Sequence, residues 1–199
     1  DDERVTRMGD ELPTTVRVLR YGWADGADVT ATEVESLAER GMRFRLRTPV
    51  GEALVESPAL GRHGAHNALA GAAVGVACGL DIETIARGVA RPYSAPHRST
   101  LIDMSRWRVL DDSYNAAPDS MFAALDLLAS LPGRKVAVLG EMLELGDESE
   151  AAHRAVGEHA GRTVDLLIAV GPSAVEYAAG ARRGPAEVVM LPDRGQAER

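Results

Sequence analysis

The chain has 199 residues, with 22 basic against 30 acidic side chains and a formal charge of −8. That balance argues against a nucleic-acid-binding surface, and the length allows one large domain or two small ones. A single cysteine, Cys78, excludes an intramolecular disulfide; no apolar run reaches the length of a membrane span and no signal peptide opens the chain, so a reducing cytoplasm is the expected compartment.

Asp1 and Asp2 open the chain without an initiator methionine, so further polypeptide is expected upstream. Residues 16–21 (VRVLRY) alternate in part and read as a strand, which Gly22 and Asp25-Gly26 break. Met42–Thr48 alternates strictly, apolar at 42, 44 and 46 and arginine at 43, 45 and 47. Pro49-Val50-Gly51 turns the chain and residues 52–56 return, which predicts a β-hairpin. Three arginines on one face suit an anionic ligand, but a solvated sheet face is the preferred reading. Residues 61–73 (GRHGAHNALAGAA) then start a helix of very small residues that ends near Gly79, a plausible C′ position, with Cys78 read as a small buried apolar residue. His63 and Asn67 lie four apart near its start and share one face if the first turn is helical. His63 and His66 are too few for a closed metal site. Asp81 caps a second short helix whose buried face is Ile82, Ile85 and Val89. Residues 91–96 (RPYSAP) then stop regular structure, and this is the expected domain boundary and hinge.

Beyond that boundary the pattern is periodic. Strands are predicted at 106–110, 135–139, 165–170 and 187–191, with helices at 118–130, 149–161 and 173–181, so the expected fold is α/β: a Rossmann-like parallel sheet with flanking helices. Gly140 and Gly171 end strands without forming a GxGxxG fingerprint, and Gly133-Arg134-Lys135-Val136 is not a GxxxxGK[ST] phosphate loop. Lys135 is the sole lysine. Residues 109–121 (VLDDSYNAAPDSM) read as strand, polar turn and helix start. Pro118 suits a first helical turn and Asp119 its electropositive end. The carboxyl end of such a strand is where open parallel sheets bind ligands. An ordinary turn with a capping Asp is the plainer alternative. Asp111 and Asp112 are adjacent, so they point to opposite sides and one of them faces any cleft. Residues 141–150 carry five carboxylates. Asp147 and Glu150 are spaced as a capping box, whereas Glu141 is expected at the end of a strand beside the one bearing Asp112. His153 is expected on the first turns of the next helix.

DDSYNAAPDSM at 111–121, VAVLGEMLELGDES at 136–149 followed by His153, and GRHGAHNALAGAA at 61–73 resemble the Mur ligases, over nearly all of the chain. The resemblance implies ATP-dependent amide-bond formation through an acyl phosphate, and specifically the member joining D-Ala-D-Ala to UDP-N-acetylmuramoyl-tripeptide in peptidoglycan precursor synthesis. Residues 1–95 would be the hairpin and helical second half of a P-loop-type central ATPase domain, and 96–199 an incomplete C-terminal domain. It implies ATP contacts at His63, Asn67, Arg98, Asp112, Tyr114 and Asn115, with Asn67 on the adenine and Arg98 and Asp112 on the ribose. Glu141 and His153 would face the cleft where the incoming amine and the nucleotide meet. Gly64 replaces an asparagine of the family motif, which puts one base-contacting group in doubt. Magnesium ligands and the phosphate loop are expected in the missing upstream part, and the chain stops short of a lysine-glycine-serine stretch, so the fragment alone is expected to be inactive. A monomer is expected, without nucleic acid or membrane span. The alternatives are a non-catalytic α/β binding domain and another ATP-dependent amide ligase of the same superfamily.

Overall fold

A computed structural model describes residues 2–92, 95–191, 193 and 195. The chain divides into two compact units, Asp1–Tyr93 and Ser94–Arg199. Tyr93 and Ser94, at the centre of the expected hinge, lie outside the described residues.

The first unit opens with α1 (Glu3–Asp10), which the sequence reading did not foresee. Its N-cap is Asp2, whose Oδ1 accepts from the Arg4 and Val5 amides at 2.8 and 3.0 Å. Of residues 16–21, expected as a strand, 16–20 belong to none. An extended segment becomes a strand only where another backbone pairs with it. Here the pairing is confined to an isolated bridge between Tyr21 and Val29. The unit's sheet is β1 (Thr30–Ser36), β2 (Met42–Thr48) and β3 (Gly51–Ser57), antiparallel and in that order. The predicted hairpin is β2–β3. β1 escaped the reading because a bulge between Thr32 and Glu35, with Glu33 at φ 53°, breaks the two-residue period.

Period-two alternation places Met42, Phe44 and Leu46 inside, where Phe44 and Leu46 are fully buried. They pack with Ala65, Leu69, Ala72 and Val76 of α2 (Gly61–Ala77) and Ile85 of α3 (Ile82–Val89). The opposite face is a ladder of ion pairs: Arg43 with Glu35 and Glu56, Arg45 with Glu33, and Arg47 with Glu52, at 2.6–3.1 Å. The three arginines are therefore matched by carboxylates across the strands. Each exposed pair is worth about 0–1 kcal/mol. Cys78, expected inside, is exposed at the C-cap of α2, because that helix turns its buried stripe elsewhere. Gly79 follows in the left-handed region at φ 76°. Asp81 caps α3 as predicted, its Oδ1 accepting from the Thr84 amide at 2.7 Å.

The second unit begins with β4 (Thr100–Met104) and β5 (Trp107–Asp111), an antiparallel hairpin. This corrects the expectation that 106–110 belongs to the parallel sheet. The turn is Ser105-Arg106, with Ser105 at φ 54°, and it carries none of the Gly or Asn that advertise a tight hairpin. α4 (Pro118–Ser130), β6 (Val136–Leu139), α5 (Ser149–Thr163), β7 (Leu166–Val170), α6 (Ala174–Ala181) and β8 (Glu187–Leu191) follow close to the predicted positions. β6, β7 and β8 form a parallel sheet in that order. The capping box at Asp147 and Glu150 does not form. A 3₁₀ turn at Gly146–Glu148 feeds directly into α5, so the helix has no side-chain cap.

The core of this unit joins Ala137, Leu167 and Ala169 of the sheet to Leu125 of α4, Val156 and Ala160 of α5, and Tyr177 of α6. α5 and α6 meet backbone to backbone. A Cβ on Gly157 would lie 2.1 Å from the Tyr177 carbonyl oxygen, and one on Gly180 would lie 2.0 Å from that of Arg154. Gly180→Ala is therefore expected to lower stability by about 1–3 kcal/mol through overpacking. Gly71→Ala, in a helix with nothing within 4 Å of the new methyl, is expected to raise it by about 0.5–1 kcal/mol. Urea midpoints of the two variants should move in opposite directions.

Candidate functional site

In the first unit a groove of about 360 Å³ runs beside α2, walled by Ser57–Ala59, Gly64, Asn67, Gly71, Thr84 and Arg91. That volume falls within the range of small-molecule sites, about 300–1,000 Å³. The Asn67 side chain is exposed on the wall, where its amide offers two donors and an acceptor. His63, one turn earlier, is half-buried and outside the lining. Gly64 has a packing reason: a Cβ there would stand 3.0 Å from Ala59 Cβ and 3.1 Å from its carbonyl carbon. His66 leaves the helix on another side. Its ring lies 5.3 Å from that of Tyr21, its Nδ1 is buried, and burial, its largest influence, pushes the imidazole below its ordinary pKa. Among the described residues no group of three or more His, Cys, Asp or Glu side chains is arranged to hold a metal ion.

The second unit concentrates its candidates at the end of β5. Asp111 and Asp112 both reach back to the segment before β4, each to a different residue. Asp111 Oδ2 lies 2.8 Å from His97 Nδ1, and its Oδ1 accepts from the Ser113 hydroxyl at 2.7 Å and amide at 3.1 Å. The Ser113 hydroxyl, then His97, then the Ser113 amide hold this carboxyl below the usual carboxylate range. Asp112 Oδ1 accepts from the Ser99 amide at 2.7 Å and hydroxyl at 3.3 Å. Asp112 is thus not the cap of the following turn. The turn's Ser113 amide is taken by Asp111, and at the start of α4 the Ser120 hydroxyl accepts from the Ala117 amide at 3.1 Å. Between the two held residues, the Arg98 guanidinium lies over the Tyr114 ring, 4.0 Å from its centroid. Asn115 follows, exposed. His97 and Ser99 both stand in the left-handed region, at φ 61° and 45°, a conformation that costs about 1–2 kcal/mol per non-glycine residue.

Glu141 and His153 share a third place, the loop after β6, with different roles. β6 bonds to β7, and β5 to β4, so Glu141 does not end a strand hydrogen-bonded to the one bearing Asp112. Glu141 is exposed and its Oε1 accepts from the Ser173 hydroxyl at 3.0 Å. His153, expected to face a cleft, is fully buried. Its Nε2 accepts from the Met142 amide at 3.0 Å, and its Nδ1 meets the Ser149 carbonyl at 2.7 Å, which makes Nδ1 the protonated nitrogen. Both nitrogens are spent on backbone, and the ring packs edge-on against Tyr177 at 4.9 Å. Tyr177 was missed by the sequence reading. Its hydroxyl donates to the Gly140 carbonyl at 2.8 Å, and burial, then the Glu141 charge, push its pKa above the ordinary value. Only its place on the inner stripe of α6 was readable beforehand, and that stripe suggests core rather than a hydrogen bond to a loop.

Residues 97–199 match the family model for the Mur ligase, glutamate ligase domain. The UDP-N-acetylmuramoyl-tripeptide–D-alanyl-D-alanine ligase of Escherichia coli K12 is 42% identical over 150 residues, covering 74% of this chain and 33% of the relative. A crystal structure of MurF from Acinetobacter baumannii superposes with a TM-score of 0.82 at 34% identity, over 90% of this chain and 38% of that one. MurF from Thermotoga maritima, in complex with ADP, gives a TM-score of 0.80 over 99% of this chain and 44% of that one; at 21% identity the likeness is one of fold. The chain spans about a third of the length of the curated relatives it matches.

Removing the buried ring tests the role of His153. His153→Ala is expected to cost about 3 kcal/mol or more in urea unfolding, by opening a cavity and leaving the Met142 amide unpaired. Glu141→Gln keeps an acceptor for Ser173 and should stay within about 0.5 kcal/mol of wild type.

Proposed function

Because this chain belongs to the Mur ligase family, its residues 97–199 matching the glutamate ligase domain, we propose that it is part of an ATP-dependent ligase that joins D-Ala-D-Ala to UDP-N-acetylmuramoyl-tripeptide. The observation that carries this reading is the Arg98 guanidinium. It lies over an aromatic ring, 4.0 Å from the centroid, and among the described residues has no carboxylate partner. An arginine held in that way keeps its hydrogen-bonding edges for oxygen-rich anions, which suits the ribose and phosphates of a nucleotide.

In this reading residues 1–95 are the second half of the central ATP-binding domain and 96–199 most of the C-terminal domain. Asn67 meets the adenine from the wall of its groove, where an amide matches the donor and acceptor edges of a base. Asp112 keeps Oδ2 for a ribose hydroxyl while Oδ1 holds Ser99. Tyr114 and Asn115 complete the nucleotide side, with His63 behind Asn67. Glu141, steadied by Ser173, faces the amine of D-Ala-D-Ala, and His153 supports that loop from below. The proposed chemistry activates the tripeptide carboxylate as an acyl phosphate, which the amine then attacks. Magnesium would be held outside this chain, and a GxxGKT-type loop is expected about 150–200 residues upstream of Asp1, in line with usual domain sizes. The fragment alone would be inactive, and the complete enzyme a cytoplasmic monomer. No helix among the described residues is long and apolar enough to cross a membrane.

The adenine contact is testable by kinetics. In the full-length protein, Asn67→Ala is expected to raise KM for ATP about 2- to 10-fold, the loss of one neutral hydrogen bond, with kcat within about twofold. Steady-state phosphate release measures both. A variant with normal ATP affinity and no turnover would move Asn67 from binding to chemistry.

A further inference from the structure

Three consecutive residues, His97, Arg98 and Ser99, cross from the start of the second unit into β4, and the outer two are left-handed. Neither is glycine, so the backbone there is strained and needs outside support. The support is specific. Asp111 takes the His97 ring, Asp112 takes the Ser99 amide and hydroxyl, and the Tyr114 amide donates to the His97 carbonyl at 3.0 Å. Each hold comes from the four-residue run that ends β5 and turns. The same run supplies the ring on which Arg98 lies. Strain of this kind persists where it serves a position, and the side chain it carries between the two held residues is the Arg98 guanidinium.

We propose that Asp111 is a positioning residue for Arg98: by holding His97 and Ser113 at once, it keeps the 97–99 segment in the conformation that lays the guanidinium on Tyr114, ready for a nucleotide anion. The proposal rests on the reading of Arg98 as a nucleotide contact. It separates the two neighbouring carboxylates by chemistry. Asp111 accepts on both oxygens, Oδ1 from Ser113 and Oδ2 at His97. Asp111→Ala removes both acceptors, whereas an Asn there would still hold both partners, its oxygen on Ser113 and its NH₂ donating to the His97 tautomer whose Nδ1 is unprotonated. Asp112 uses Oδ1 alone on Ser99, and Asn at 112 retains that bond. Asp111→Ala therefore releases Arg98, whereas the isosteric change at 112 leaves it in place.

The readout is the side-chain Nε–H resonance of Arg98 in the full-length protein, labelled with ¹⁵N-arginine and assigned by its absence from Arg98→Lys. A guanidinium over a ring is shifted upfield, so Tyr114→Leu should abolish the shift and calibrate it. Asp111→Ala is expected to abolish it with Tyr114 intact, and Asp112→Asn to preserve it. By calorimetry Asp111→Ala should weaken ATP binding about tenfold, the scale of a lost hydrogen bond to a charged group. Asp111→Ala combined with Arg98→Ala should bind ATP no more weakly than Arg98→Ala alone, since the first acts through the second. An unchanged Arg98 resonance in Asp111→Ala, or additive losses in the double variant, would overturn the proposal. If Arg98→Ala binds ATP normally, the nucleotide reading fails, while the resonance still decides whether Asp111 positions Arg98. Should Asp111→Ala not fold, His97→Ala removes the same contact from the other end and is expected to abolish the shift; a preserved shift would again overturn it.

Discussion

The second unit is governed by how closely α5 and α6 approach. Where they cross, glycines at 157 and 180 bring each helix against a carbonyl of the other, with no space for a methyl between them. That distance fixes where Tyr177 stands, because its own carbonyl is the atom under Gly157. The phenol is then fully buried beside His153, and its hydroxyl reaches the Gly140 carbonyl at the end of β6. His153 takes the Met142 amide one step further along the same loop. Glu141 is left between two residues whose backbone is tied down, projecting outward onto Ser173. Close helix packing is thereby converted into the placement of one carboxylate. The chain of causes runs through backbone groups, which a loop exposed on one side otherwise leaves to water.

The other sites obey a similar division between what holds and what is displayed. In the first unit the buried stripe of α2 packs on the sheet, and the neighbouring flank, rich in glycine and alanine, forms one wall of the groove that exposes Asn67. Small side chains serve both tasks, since they let the sheet approach and leave a ligand-sized channel. At the end of β5, carboxylates that look like ligand contacts are spent in part on the protein itself. Preorganisation of this sort is useful to a nucleotide site, because a side chain already fixed loses little entropy on binding.

Much of the architecture followed from the sequence through two periods. Alternation in Met42–Thr48 specified the β2–β3 hairpin and its buried face, since one face of a pleated strand must find the core. Spacing of apolar residues gave α3, α4, α5 and α6, and short apolar runs gave β6, β7 and β8. The motif around Asp111 and Asp112 and the one containing His63 and Asn67 gave the family, which residues 97–199 then matched. These features are local: they depend on neighbours within a turn or a strand.

What failed, or was invisible, depends on distant partners. Residues 16–20 have strand-like composition, but pairing is a property of two segments, and the bridge at Tyr21–Val29 is all that the described chain supplies. β1 and the β4–β5 turn were hidden by left-handed residues at Glu33 and Ser105 that carry side chains no pattern marks. The pattern put His153 on a helix, where the Ser149 carbonyl one turn earlier meets its Nδ1; its burial and its bond to the Met142 amide came from α6 and the β6 loop folding around it. Adjacency predicted opposite sides for Asp111 and Asp112. Only the folded segment at 97–99 decided that each would hold a neighbour of Arg98, because those contacts join residues 13 and 14 positions apart, on a turn whose strain no local propensity predicts.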